Sequence, residues 1–350
     1  MFGAKLRNFL ISFCFVMVSG VIAFGIFELA IRYKLGAYPF LRQTLQLDFL
    51  SQKDVNLRWR FYPNKNGRNS LGIKAGEISK KGKDKFRILF LGDSLLWTGE
   101  TSSGELQTKV IEDELNAKFG NRVETINAGV PGYTTYQEFE FLKQYGWDMQ
   151  PDFIVLGFVF NDVYFKYLHL STKRDSLDIE PDCHLHHFDT STPLGRLFKR
   201  SFAAHMIWYS IEKAYHLISK SYYFPFERRD DFYLAWKEYG WHETENLIKQ
   251  MNQELKDKNT PLLIVIFPVS DQVNPKYLPI NKDFVLFPQK KITEITSKYN
   301  IPYIDLTEIL LENGGIKLYR DYHHLNSAGN DVFVKVMSKY LESELKLLLK

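Results

Sequence analysis

The sequence is poor in cysteine, in net charge and in long apolar runs. Its 350 residues hold two cysteines, Cys14 and Cys183. Two thiols build no disulfide framework, and Cys14 lies inside an apolar segment, so no bridge between them is expected. Lys and Arg number 45 against 41 Asp and Glu, a net charge of +4. So small an excess argues against a nucleic-acid partner. No phosphate-binding loop or dinucleotide fingerprint occurs, and no cofactor is expected. No internal repeat or low-complexity tract is evident, which argues against a solenoid.

What is present is an ordinary globular composition, with 45% hydrophobic and 15% aromatic residues. The length suits one large domain or two small ones with a sizeable core. The one long apolar run is Asn8–Phe27, "NFLISFCFVMVSGVIAFGIF", twenty residues without a charge. A helix of that length spans about 30 Å of hydrocarbon. A cleaved signal peptide would have a shorter apolar core and a small-residue cleavage site, so an uncleaved membrane anchor over residues 1–34 is expected. Lys5 and Arg7 precede the run, and Arg32 and Lys34 follow it. Positive charge on both flanks leaves the orientation open under the charge rule. An extracytoplasmic domain is the expectation taken here, because long domains are translocated despite their charge.

Residues 35–84 read as a basic connector. Residues 51–85 hold ten Lys/Arg against Asp54, Glu77 and Asp84. A solvated lead-in explains such a run, and anionic headgroups beside an anchor would also suit it. From residue 85 to 350 apolar runs alternate with amphipathic stretches. Strands are expected at Phe86–Leu91, Val123–Asn127, Phe153–Phe160, Leu262–Val269 and Ile301–Leu306. Helices are expected at Glu105–Lys118, Tyr136–Tyr145, Phe287–Tyr299 and Asn326–Leu349. That alternation implies an α/β fold, a flavodoxin-like doubly wound parallel sheet of five strands with helices on both faces. An insertion at about 163–258 interrupts it, loop-like at Ser171–Pro193 and helical at Arg196–Ser219 and His242–Lys256.

Such sheets bind ligands at the carboxyl ends of their strands, and polar residues gather there. The first strand runs into Gly92-Asp93-Ser94. The second ends in "NAGVPG" (Asn127–Gly132), the third in Asn161-Asp162. After the last comes "YRDYHHLN", with Asp321 three residues before His324. A serine hydroxyl becomes a nucleophile only with a base, a group orienting that base and donors for the oxyanion. Each piece alone has a plainer reading: Ser94 as a helix cap, Asn161-Asp162 as turn chemistry, His323 and His324 as surface or core histidines. All four at strand ends of one sheet are harder to dismiss.

Four blocks in this order resemble the SGNH hydrolases, the GDSL esterase/lipase family: "GDSL" at Gly92–Leu95, "NAGVPG" at Asn127–Gly132, "ND" at Asn161-Asp162 and "DYHHLN" at Asp321–Asn326. The resemblance implies the three-layer α/β/α SGNH fold. It implies Ser94 as nucleophile, His324 as general base and Asp321 as its orienting carboxylate. It implies an oxyanion hole of the Ser94 N–H, the Gly132 N–H and the Asn161 amide. The Asp-x-x-His pattern before an apolar residue selects His324 over His323. The third block usually has glycine two residues before its asparagine; Val159 stands there. Asp93 and Asp162 read as structural acceptors for turn N–H groups. Similarity to membrane-anchored SGNH proteins implies an O-acetylated envelope glycan as substrate. Hydrolysis and acyl transfer stay open, as does a lipid ester. A non-catalytic binding or assembly protein on the same scaffold is the alternative class.

Two further stretches have plainer readings. "CHLHHFD" (Cys183–Asp189) offers metal-ligand types in no standard spacing, so no metal is expected. "WYSIEKAYHLISKSYYFPF" (Trp208–Phe226) reads as core, or as a groove stacking sugar rings.

Overall fold

The computed structural model describes residues 2–31, 51–163, 232–276, 278–279 and 282–349. The expected loop at Ser171–Pro193, the helix at Arg196–Ser219, "CHLHHFD" and the aromatic stretch Trp208–Phe226 lie outside the described residues. So do residues 35–50 of the expected connector.

Helix α1 (Phe2–Ile31) is described by itself. Within it Ile11–Ala30 has mean hydropathy 2.2, long and apolar enough to cross a membrane or to serve as a signal sequence. Its apolar side chains, Phe15 and Val21 among them, are exposed.

The remaining described residues form one compact unit. It begins with an antiparallel hairpin, β1 (Ser51–Asp54) and β2 (Arg58–Phe61). The sheet strands are β3 (Phe86–Gly92), β4 (Val123–Gly129), β5 (Phe153–Phe158), β6 (Leu262–Ile266) and β7 (Tyr303–Asp305). They are all parallel, in the order β4-β3-β5-β6-β7. This is the doubly wound order in which the winding reverses at the first strand, opening a crevice at its carboxyl end. The helices are α2 (Ser94–Trp97), α3 (Gln107–Phe119), α4 (Thr135–Phe141), α5 (Trp241–Asp257), α6 (Phe287–Lys298), α7 (Leu306–Glu312) and α8 (Ser327–Leu348), with one further helical turn at Lys282–Val285.

The central strands are apolar because both faces are covered. Every residue of β3, β5 and β6 is buried. Arg87 in β3 is the exception in kind, and it is fully engaged. Its guanidinium pairs with Glu124 Oε2 at 2.7 and 3.0 Å and donates to the Met149 and Ser79 carbonyls at 2.6 and 3.1 Å. Edge strand β7 is short and keeps Tyr303 exposed, which limits further pairing.

The helices follow the sequence logic of their faces. In α5 the buried side chains are Trp241, Thr244, Ile248, Met251, Asn252 and Leu255, one stripe at helical spacing. Helix α3 stops at Gly120, whose φ of +66° supplies a left-handed cap. Helix α8 starts where Asn326 accepts the Gly329 N–H at 3.0 Å.

The hairpin lies within the stretch read from sequence as basic connector. Trp59 and Phe61 are buried. Tyr133 Oη donates to the Trp59 carbonyl at 3.2 Å, and Gln137 Nε2 to that of Leu57 at 3.0 Å. Truncating a buried tryptophan of this kind costs about 3–5 kcal/mol. Several basic residues of the stretch meet local acceptors. Lys81 pairs with Asp152 at 2.5 Å, Lys74 with Glu100 at 3.4 Å, and Lys85 Nζ donates to the Asn121 carbonyl at 2.6 Å.

Candidate active site

The site grows from one constraint, the sharp exit from β3. Gly92, Gly129 and Gly157 stand side by side across β4, β3 and β5. Helix α2 lies on this floor. A Cβ on Gly129 would sit 2.6 Å from Leu96 Cβ and 2.9 Å from the Trp97 nitrogen. Only glycine admits the helix this close. The short helix is tied at both ends. Asp93 accepts the Leu95 N–H at 2.9 Å, and Gln107 and Asn127 donate to the Leu95 and Leu96 carbonyls at 3.2 and 2.9 Å. Thr98 Oγ1 donates to the Ser94 carbonyl at 2.7 Å. Ser94 thus opens a rigid turn at the sheet edge, half-buried.

The loop before α8 brings the partners. His324 Nε2 lies 2.8 Å from Ser94 Oγ, and His324 Nδ1 lies 2.8 Å from Asp321 Oδ2. Asp321 Oδ1 also accepts the backbone N–H groups of His324 and His323 at 2.9 and 3.1 Å. The carboxylate therefore fixes both the ring and the loop that carries it. Burial works to raise the Asp321 pKa. Hydrogen bonds from the His324 ring and N–H, the His324 charge and the His323 N–H outweigh it and hold the group well below the usual carboxylate range. His323 packs beside His324. It is buried, its ring packs 3.8 Å from that of His324 and 5.2 Å from Phe232, and its Nδ1 stays 3.7 Å from Asp321.

Two oxyanion candidates lie in the loops that follow β4 and β5. Val130–Tyr133 forms a turn closed by Tyr133 N–H to the Val130 carbonyl at 3.0 Å, with Pro131 second and Gly132 third at φ +80°. This is the type II pattern, and its closing bond leaves the Gly132 N–H unused. Asn161 Nδ2 donates to Asp93 Oδ2 at 3.0 Å, which uses one of its two hydrogens. Ser94 Oγ is 3.3 Å from the same Asp93 oxygen. Asp93 is 1% exposed, and burial raises its pKa against the donors that face it.

A family model, the GDSL-like lipase/acylhydrolase family, matches residues 90–332. The chain belongs to this family. As a GDSL-like acylhydrolase it is an enzyme of acyl-ester chemistry. Solved structures similar to it include a lipase/acylhydrolase from Enterococcus faecalis, at 15% identity and TM-score 0.41, covering 74% of this chain and 96% of that one. Others are a GDSL-like lipase from Bacteroides thetaiotaomicron (13%, 0.41, 76% and 93%) and an acetylxylan esterase from Geobacillus stearothermophilus (15%, 0.44, 75% and 95%). No curated protein matches the chain.

In this acylhydrolase the motif residues Ser94, Asp321 and His324 come together, with Asn161 joined to them through Asp93. Sequence reasoning assigned no part to Asn127 or Gln107, which brace α2 and so hold Ser94. Asn127 stands in the second motif block, the one signal that could have found it. Nor did the missing third-block glycine prove costly. Val159 at that place exchanges bonds with Asp162, giving its N–H to Oδ2 at 2.8 Å and accepting the Asp162 N–H at 2.9 Å.

Proposed function

We propose that the chain is a serine-dependent ester hydrolase or O-acyltransferase working through an acyl-enzyme. The carrying observation is the continuous chain Asp321–His324–Ser94, with 2.8 Å at each link. Asp321 keeps a proton on His324 Nδ1, so Nε2 is free to accept the Ser94 proton. Ser94 Oγ then attacks the ester carbonyl. The N–H groups of Ser94 and Gly132 and the free Nδ2 hydrogen of Asn161 stabilise the developing oxyanion. His324 returns the proton to the leaving alkoxide. Water or a second hydroxyl then takes the acyl group by the reverse of these steps.

The substrate we assign is an O-acetyl group of an envelope polysaccharide, met by an enzyme anchored in the plasma membrane through α1 with its domain on the extracytoplasmic side. The apolar run of α1 supports the anchor. A lipid ester is the competing substrate, since an anchor serves it equally. Acetylated sugars and acylglycerols offered separately, with acetate and acyl products followed by mass spectrometry, distinguish the two. Acetyl-sugar formation marks transfer and free acetate marks hydrolysis. Neither product, together with no labelling of Ser94 by a fluorophosphonate, would leave a non-catalytic scaffold. Protease added to spheroplasts tests the orientation: the domain should be digested without lysis, and full protection until lysis would refute it.

A further inference from the structure

Glu138 is a buried acid that the chemistry above leaves unexplained. It lies in α4, 1% exposed, and neither carboxyl oxygen has a hydrogen-bond partner. A buried carboxylate with no donor is strongly disfavoured, and folded proteins rarely keep one. Helix α4 packs against the turn Phe160–Val163. In that turn the Asn161 and Asp162 Oδ1 atoms are also buried without a partner. These four atoms are all acceptors; the buried Thr135 hydroxyl beside Asp162 is a donor that serves at most one of them, and the others still lack a donor. A bound cation is a poor substitute. Among the described residues, the group whose ligand atoms gather within 4.8 Å is Asp321, His323 and His324, not these carboxyls.

We propose that Glu138 is a positioning residue for the oxyanion donor Asn161, holding the 160–163 turn through a carboxylic-acid hydrogen bond to its orphan acceptors. This rests on the role given to Asn161 above. Protonated, Glu138 changes from an acceptor only into an O–H donor. Its surroundings favour that form. The groups acting on it are the carboxyls of Asp162 in the turn and Asp93 at the end of β3, and burial raises the pKa of both, Asp162 well above the usual range. The packed face of α5 offers Thr244, Ile248 and Met251, all uncharged. Burial first, and then those two carboxyls, push the Glu138 pKa well above its usual value.

The three acids differ in their donors. Asp93 receives the Leu95 N–H and Asn161 Nδ2. Asp162 receives the Val159 N–H and lies beside Thr135. Glu138 receives none, so nothing offsets the cost of charging it. Its ionisation would remove a donor and set a new charge against Asp162. The grip of Asp162 on Val159 would loosen, and Asn161 with it.

The full-length wild type, Glu138→Gln and Glu138→Ala are compared on p-nitrophenyl acetate from about pH 5 to about pH 10. Glutamine copies the neutral acid, so its kcat should stay within ~3-fold of wild type at neutral pH, whereas alanine should lose more than ~10-fold in kcat with KM little changed. Wild type should lose activity at alkaline pH on a limb that Glu138→Gln lacks. Infrared difference spectra should reveal a protonated carboxylic acid in wild type at neutral pH that is missing from Glu138→Gln. If the alanine variant does not fold, the glutamine profile and spectrum decide. A glutamine variant as slow as alanine, an alkaline limb unchanged by glutamine, or no acid band would each overturn the proposal. A wild type that has the acid band yet turns over no ester would count against the esterase reading instead.

Discussion

Gly129→Ala is the sharpest test of how α2 is held. The added Cβ would sit 2.6 Å from Leu96 Cβ, 2.9 Å from the Trp97 nitrogen and 3.0 Å from Asn127 Oδ1. Carbon atoms prefer about 3.5–4.0 Å, so the helix must retreat by roughly 1 Å. Neither of the two closest neighbours is the far end of a flexible side chain, so rotation cannot absorb the shift. Overpacking of this kind destabilises by about 1–3 kcal/mol. The larger effect falls on catalysis. Ser94 begins α2, and its 2.8 Å bond to His324 would stretch beyond hydrogen-bond range. A misplacement of about 1 Å costs on the order of 100-fold in rate. Gly157→Ala is the control, because its Cβ would meet nothing closer than Phe267 at 3.4 Å, an ordinary contact. Steady-state hydrolysis of p-nitrophenyl acetate reads kcat, and urea unfolding reads stability. Equal kcat for the two variants would refute the argument that the glycine floor sets the nucleophile.

Ser94→Ala should abolish turnover and fluorophosphonate labelling with the urea midpoint unchanged; turnover near wild type would remove Ser94 as nucleophile. His324→Ala should cost far more in kcat than His323→Ala, since only the His324 ring reaches Ser94, and comparable losses would undo the pairing with Asp321. Glu138→Gln carries a stability signature. The folded chain holds the Glu138 proton more tightly than the unfolded chain, so that contribution is complete below about pH 4.3, the unfolded value, and is lost as pH rises toward the folded one. Tm should therefore match wild type near pH 4 and exceed it at pH 8; a lower Tm at pH 8 would contradict a buried neutral acid.

The parallel sheet was legible because its central strands are apolar runs, interrupted by charge only at Arg87. Phe86–Leu91 and Phe153–Phe158 need no partner to be recognised. The short edge strand Tyr303–Asp305 blurred into a longer expectation, since an edge buries only part of each residue. The β1–β2 hairpin stayed hidden because Arg58 and Arg60 alternate with Trp59 and Phe61 inside a basic stretch, and charge masks the two-residue period. The candidate chemistry was legible through Ser94, Asn161 and the Asp321–His324 spacing. The glycine floor was not, because it exists only in the register of three strands. Glu138 was equally invisible, since its burial depends on what α4 packs against.

The link between Ser94 and His324 joins positions 230 residues apart in the chain. The order of synthesis gives that distance a consequence. At about 5–20 residues per second, His324 leaves the ribosome roughly 10–50 s after Ser94. Through that interval β3, β4 and β5 can pair and present the serine, yet the proposed base His324 is absent. Their pairing waits for α8 to dock, with Asn330 Nδ2 reaching the Glu100 carbonyl in the loop before α3 at 2.8 Å and Lys118 of α3 meeting Glu342 at 2.6 Å. If Ser94 and His324 act as proposed, the nascent protein is its own inert precursor, and ester turnover begins only once α8 has been made and seated.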